Sequence, residues 1–199
     1  WTFNDVLPIV DSNWTPTTLL PTLWLNAADE ATISHSSNLV NQWTDKSGNN
    51  HHASQSAEAN QPSLTSLAQN GMTVITFDGS DDYLELDLDF LADSSHSSFF
   101  VLKTTIFSNL YGAASGSAGS SSLHIGFKNS TNFRMNYWGN DWTPEIPSSF
   151  DSNDFNILNF NWTKNTKKTL YVNGTLANEI SSAGNIGTME GGGRISNVV

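Results

Sequence analysis

Short runs of alternating apolar and polar residues dominate this chain and predict an all-β protein. The clearest runs are MTVITFD (72–78) and YLELDLDF (83–90). A period of two is typical of a strand that buries one face. Similar runs predict further strands at 22–26, 39–45, 97–105, 122–128, 132–138, 155–162 and 169–177. In the last run, Asn173-Gly174 separates two apolar stretches, which predicts a tight hairpin.

Turn residues divide the strands and define the domain limits. A Gly- and Ser-rich loop is expected at 112–122, and a single helical turn at most is expected within 27–34. About a dozen short strands predict a two-sheet antiparallel β-sandwich of jelly-roll type. Residues 1–21 hold three prolines and are predicted to be an extended lead-in, packed by Trp14 and Leu19. The domain proper is expected to span 22–199.

Composition limits the possible partners. The chain has 199 residues and a net charge of −11, with only eight Lys and Arg residues. Nucleic acids and anionic membranes need a basic surface, so both are excluded as partners. No apolar run approaches the roughly 20 residues that a membrane helix needs. The chain begins at Trp1 without Met and ends in GGGRISNVV, which resembles the opening of a strand with no closing partner. We therefore expect a processed or excised segment that continues beyond Val199.

Two blocks of sequence resemble a known family. The first is LWLNAADEATI followed by VNQWTDKSGNNHHASQ and QPSL, and the second is NGMTVITFDGSDDYLEL. Together they resemble the laminin-G-like, concanavalin A-like jelly-roll domains of bacterial surface proteins and phage virion proteins. The match is close over residues 23–89, the 169–177 hairpin resembles the terminal hairpin of the family, and the region 95–160 matches only in style. The resemblance therefore implies a concanavalin A-like sandwich.

The resemblance also implies a structural calcium ion. Family members often hold calcium near loops like WTDKSGNN and FDGSDDY, and oxygen ligands in tight loops suit this ion. The residues carried over as candidate ligands are Asp45, Asn49, Asp78 and Asp82. The alternative is that Asp45 and Asp78 cap turns through their own side chains and bind no ion.

The acidic run YLELDLDF raises the question of catalysis. Glu85, Asp87 and Asp89 alternate as do the carboxylates of some retaining β-glucanases. Residues four apart on a strand lie roughly 13 Å apart, whereas a retaining glycosidase needs its two carboxyl groups about 5–5.5 Å apart. We therefore expect Leu84 and Leu86 to face the core while the acids face water, and we predict that the protein is not an enzyme.

An aromatic loop at 136–147 is the candidate glycan site. Sugar rings stack on flat aromatic faces, and their hydroxyl groups bond to amide and carboxylate groups. The predicted glycan-binding residues are Tyr137, Trp138, Asn140, Asp141 and Trp142. The alternative is that these aromatic residues anchor the core or the loop.

The favoured function is a non-catalytic adhesion or glycan-recognition module with a structural calcium ion. It is expected outside the cell, on a cell surface or on a virion surface. Its expected partner is a cell-surface or extracellular polysaccharide. The alternatives are a structural virion protein such as a capsid decoration or tail-fibre domain, which contacts neighbouring virion proteins and forms a homo-oligomer, and a retaining β-glucan hydrolase that uses Glu85 and Asp89.

Overall fold

The predicted all-β sandwich is confirmed. The computed structural model describes residues 15–113, 123–137, 139–188 and 192–196. Strands account for most of the regular structure in these ranges, and they form two antiparallel sheets. The strands are β1 (Ile33–Ser36), β2 (Leu39–Trp43), β3 (Ala53–Ser54), β4 (Ser63–Gln69), β5 (Met72–Thr76), β6 (Leu84–Leu86), β7 (His96–Leu102), β8 (Asn109–Ala113), β9 (Leu123–Phe127), β10 (Phe133–Tyr137), β11 (Asn156–Thr163), β12 (Lys167–Val172), β13 (Thr175–Ile180) and β14 (Gly193–Ile195).

The two sheets differ in size. Within the described residues, the large sheet has ten strands in the order β10-β9-β8-β14-β6-β3-β2-β4-β5, with β1 paired to β2. The small sheet has four strands in the order β13-β12-β11-β7. The hairpin between β12 and β13 turns at Asn173-Gly174, as predicted, and both turn residues have positive φ.

The core lies between the sheets and follows the alternation of the strands. On β11 the buried residues Leu158, Phe160 and Trp162 are separated by partly or fully exposed ones. Leu84 and Leu86 of β6 are buried, as their alternation predicted. Phe160 also packs edge-on against Phe133 of the opposite sheet, with ring centroids 5.9 Å apart. Such aromatic pairs across the core hold the two layers together.

The described part of the chain forms four short 3-10 helices, of which only one lies in the range 27–34 where a helical turn was expected. They lie at Pro16–Leu19, Glu30–Thr32, Glu58–Asn60 and Asp89–Leu91. None of the described helices is long and apolar enough to cross a membrane. Leu19, expected to pack the lead-in, is 68% exposed, and Trp14 lies outside the described residues.

Two local predictions are corrected. Residues 22–26 form no strand, because Trp24 bonds to a loop: its N–H donates to the Asp45 carboxylate, and its carbonyl accepts the N–H of Lys46. The segment near the C-terminus was expected to lack partners, yet β14 pairs with both β6 and β8 inside the large sheet. A strand of three residues is too short for its sequence to indicate that it pairs with a strand on each side.

Candidate ligand-binding surfaces

The acidic run YLELDLDF does not form one long strand. β6 ends at Leu86, and a 3-10 helix begins at Asp89. The Asp87 carboxylate accepts the backbone N–H of Asp89 at 2.8 Å, which explains why the strand stops: short acidic side chains bond readily to nearby backbone groups. Glu85 lies 3.4 Å from the Arg194 guanidinium on β14. The expected row of three acids along one strand face is therefore wrong.

A groove of about 360 Å³ runs beside these acids. Its lining residues are His52, Ser54, Glu85, Leu86, Asp87, Gly192 and Gly193. Arg194 lies over the ring of Tyr83 at 3.9 Å, which places a cation next to the Glu85 carboxylate. The Glu85 side chain is exposed and that of Arg194 is mostly covered, so the two form a partly exposed ion pair on the sheet.

In the first predicted calcium loop, the Asp45 carboxylate is occupied by hydrogen bonds from the protein. The buried Asp45 carboxylate accepts four of them, from the N–H of Trp24, the N–H and hydroxyl of Ser47, and the N–H of His51. The Asn49 amide donates to the Thr22 carbonyl at 3.0 Å. These bonds use the acceptor capacity of the carboxylate. The geometry therefore favours the turn-capping alternative for Asp45. Calcium binding at Asn49 stays a prediction.

The same bonds explain the acidity of Asp45. Burial by itself would raise the pKa of this carboxyl, but donation by Ser47, Trp24 and His51 outweighs burial and lowers the pKa. The backbone of Asp45 is held as well, because its N–H donates to Nδ1 of His52 at 3.1 Å. The loop is thus held by bonds among its own residues and by bonds to the segment 22–24.

The second predicted loop gathers three carboxylates. One oxygen each of Asp78, Asp81 and Asp82 lies within 4.8 Å of the others. Asp81 was not among the predicted ligands. Burial and the charges of the two neighbouring acids raise the pKa of Asp82. Because Asp78 also accepts the N–H of Ser80, the loop shares the turn-capping chemistry. Calcium binding at Asp78 and Asp82 stays a prediction.

The aromatic loop is anchored in the core. Tyr137 is 5% exposed and Trp142 is 9% exposed, because the alternation of β10 turns Tyr137 inward. The Tyr137 hydroxyl accepts the N–H of Gly187 at 2.6 Å. These ring faces are not open to a sugar, which fits the alternative that the rings anchor the loop. Asp141 is exposed, and Trp138 lies outside the described residues.

A buried lysine fastens this loop to the small sheet. Lys168 of β12 donates to the carbonyls of Met135, at 2.9 Å, and of Asn140. Its ammonium lies 4.1 Å from the centroid of the Trp162 ring. Burial lowers the pKa of Lys168 to about 8. Asn140, a predicted glycan ligand, thus has a structural contact through its backbone.

The outer face of the small sheet is a candidate surface that the sequence patterns did not predict. Phe99, Val101 and Ile157 are 67%, 71% and 51% exposed on this face. Beside them, Asn159 and Asn161 bond to each other through their amide groups at 3.0 and 3.2 Å. The signal was present in the alternation of SSFFVLKTT and FNILNFNW, but periodicity does not say which of two apolar sets faces water.

A cavity of about 430 Å³ opens on this outer face. Its lining residues are Ser95, His96, Ser97, Asn161, Trp162, Thr163, Lys167, Thr169 and Tyr171. The Asn161 amide donates to the Thr169 hydroxyl at 3.0 Å, and Lys167 pairs with Glu179 at 3.5 Å. The lining therefore offers hydroxyl and amide groups, one cation paired with a carboxylate, the half-buried phenol ring of Tyr171 and the rings of His96 and Trp162.

Comparison with known proteins shows the fold alone. The chain is similar to the binding domain of Paraclostridial Mosquitocidal Protein 1, with a TM-score of 0.55 and 14% identity over 82% of this chain and 43% of that chain. It thus spans less than half the length of that structure. No family model matches the chain, and no curated protein matches it.

Proposed function

We propose that this protein is a non-catalytic binding module that recognises a neutral glycan on the outer face of its small sheet. The observation that supports this proposal is the cavity of about 430 Å³ beside Tyr171. Its size is within the range of roughly 300–1,000 Å³ common for small-ligand sites. The similar solved structure is itself a binding domain, which supports a binding role in general.

The chemistry of the lining suits a sugar. A pyranose ring needs a flat aromatic face for its C–H groups, which Tyr171 offers, and donors or acceptors for its hydroxyl groups. Asn161, Thr163 and Ser97 supply these polar groups at the cavity. The bonds of Asn161 to Asn159 and Thr169 fix its amide before a ligand arrives. Such preorganisation lowers the entropic cost of binding.

Charge selects a neutral ligand. Among the described residues that line the cavity there is no carboxylate, and the lining lysine, Lys167, is already paired with Glu179. The net charge of −11 repels acidic polymers at long range. A neutral polysaccharide at a cell or virion surface is therefore the partner that this proposal names.

Replacing Tyr171 by alanine is expected to weaken binding to a neutral glycan at least about tenfold, because the stacking face is lost. A glycan array identifies the ligand, and titration calorimetry with that oligosaccharide measures the change. The matched control is Tyr83→Ala, which removes the same side chain just before β6, away from the small sheet, and should leave binding unchanged. Binding that survives Tyr171→Ala but disappears in Asp141→Ala would move the site to the aromatic loop.

The proposal that the protein is not an enzyme has its own test. Incubation of the wild-type protein with β-glucans is expected to release no reducing ends. Release that disappears in Glu85→Gln would instead establish the hydrolase alternative, since that residue borders the second groove. The same assay with Glu58→Gln, an exposed acid outside this groove, controls for the loss of charge.

Calcium is proposed as a structural ion at Asp78, Asp81 and Asp82, supported by the three carboxylates within 4.8 Å. Added calcium is then expected to raise the melting temperature, and a chelator to reverse the rise. Asp82→Asn should abolish this response, whereas Asp151→Asn, a substitution in a distant exposed turn, should retain it. A melting temperature that does not change when calcium is added would contradict the proposed calcium site.

A structural role in a virion or surface assembly is the second candidate function. The exposed strip formed by Phe99, Val101 and Ile157 favours it, since exposed apolar side chains that touch one another often mark protein contacts. In that case the module would contact neighbouring proteins of the assembly.

A further inference from the structure

Strand β7 leaves one edge of the small sheet open. It pairs with β11 in an unbroken register from His96–Trp162 to Leu102–Asn156. On its other side, no backbone-to-backbone hydrogen bond from the described part of the chain reaches these seven residues. An edge of this kind presents a row of donors and acceptors that another strand can use.

This edge lacks the features that usually protect a sheet. The sequence HSSFFVL has no proline and no Asp, Glu, Lys or Arg, and its register with β11 has no bulge. The opposite edge, β13, has a bulge against β12 and a charged residue, Glu179, paired with Lys167. At β10, an edge of the large sheet, Phe133 and Met135 donate their N–H groups to the segment 142–144.

The side chains on the open edge are also unusually apolar. Phe99 and Val101 point outward, and their side chains are 67% and 71% exposed. Val101 lies directly opposite Ile157 of β11, so the apolar strip continues onto the next strand. Water contact with these three side chains costs free energy that a neighbour along the edge would recover.

We propose that a second copy of this chain pairs with β7 in antiparallel fashion about a twofold axis through Phe99. Phe99 is the middle residue of the seven-residue strand, so this register pairs all seven residues of both copies. Phe99 meets its own counterpart, and Ser97 lies opposite Val101 of the second copy. A twofold contact is self-complementary by construction, which one strand sequence can satisfy alone.

Charge explains why this edge suits a second copy. Each chain has a net charge of −11, so most of its surface repels another copy. The edge strand holds no acidic or basic residue except His96, whose ring packs against Trp162. Pairing therefore buries no opposed carboxylates, and added salt should strengthen it by screening the remaining repulsion.

The pairing also has a consequence for ligand binding. A twofold axis perpendicular to the sheet keeps the outer faces of both copies on one side of an eight-stranded sheet. Ser95 and Ser97, at one end of the edge strand, line the cavity of each copy. Two cavities on one surface would bind a polymeric ligand with avidity. The interface itself does not depend on glycan binding, and it gives the assembly alternative a specific contact.

A cysteine cross-link tests the register. Because the chain has no cysteine, a single introduced thiol can form a disulfide only between copies. Phe99→Cys is expected to form a covalent dimer under mild oxidation, since directly opposed Cβ atoms in a sheet lie about 4.5–5.5 Å apart, close to disulfide range. Ile157→Cys, which replaces another exposed apolar residue but on an interior strand, should not. Equal cross-linking of both variants would overturn the proposal.

Sedimentation equilibrium tests the interface without a cross-link. The wild-type protein should dimerise more strongly as salt rises, and Phe99→Lys should weaken dimerisation at least about tenfold while Ile157→Lys changes it little. Circular dichroism checks that each variant is folded. A monomer at every concentration and salt level would overturn the inference, as would a dimer that Phe99→Lys leaves intact. These outcomes do not affect the glycan array, so the two proposals can fail separately.

Discussion

Replacing Asp45 by alanine is expected to lower the free energy of unfolding by roughly 3–4 kcal/mol. The carboxylate accepts bonds at 2.9, 2.9, 2.7 and 3.1 Å from Trp24, from the N–H and hydroxyl of Ser47, and from His51. Alanine leaves these donors, which are partly buried, without their partner. Each buried donor left unsatisfied costs about 1–3 kcal/mol, although partial hydration will reduce the sum. Urea unfolding followed by fluorescence measures the change.

The matched control is Asp78→Ala, which removes a carboxylate that also caps a turn but lies exposed. We expect this variant to lose about 1 kcal/mol or less, because water replaces the cap. Equal losses in both variants would contradict the structural role of Asp45. The pKa of Asp45 is lowered from 3.8, so its contribution is complete above pH 3.8 and disappears as the pH falls through the lower folded value.

The sequence predicted the sandwich because its strands bury one face each. Alternation located β2, β5, β7, β9, β10 and β11 to within a few residues, and Asn173-Gly174 located the last hairpin. It failed where a tertiary contact decides the backbone. Trp24 lies in an apolar run, yet its N–H and carbonyl bond to the Asp45 loop instead of to a strand. The pattern of residues 22–26 gives no information about Asp45, which lies 21 residues further along the chain.

The candidate surfaces were harder to predict than the fold. Tyr137 and Trp142 are aromatic residues near polar ones, which is the composition of a sugar platform, but burial depends on which face of β10 meets the core. The outer cavity unites Ser97, Asn161 and Tyr171 from three strands. Only the pairing of Asn161 with Ser97 and of Asn159 with Tyr171 brings these strands into one row. Sequence periodicity locates strands but does not predict which strands are neighbours in the sheet.

Acidification from pH 6.5 to about 4 is expected to cost the folded state roughly 3 kcal/mol through His96. Burial lowers the pKa of His96 from 6.5 to about 4. Its Nδ1 is buried with no hydrogen-bond partner in the described part of the chain, and its Nε2 lies 3.4 Å from the Tyr111 hydroxyl. The unfolded chain therefore takes up a proton below pH 6.5 that the folded chain refuses until about pH 4, so stability falls across this window as the pH is lowered.

Urea unfolding at a series of pH values distinguishes this effect from the titration of the acids. The partial neutralisation of a chain with net charge −11 reduces its self-repulsion, which acts in the opposite direction. His96→Gln should flatten the profile between pH 6.5 and 4, because glutamine fills similar space and does not titrate. His35→Gln, at an exposed position of β1, should leave the profile unchanged. A wild-type stability that stays level across this window would show that the His96 ring accepts its proton without disturbing the sheet.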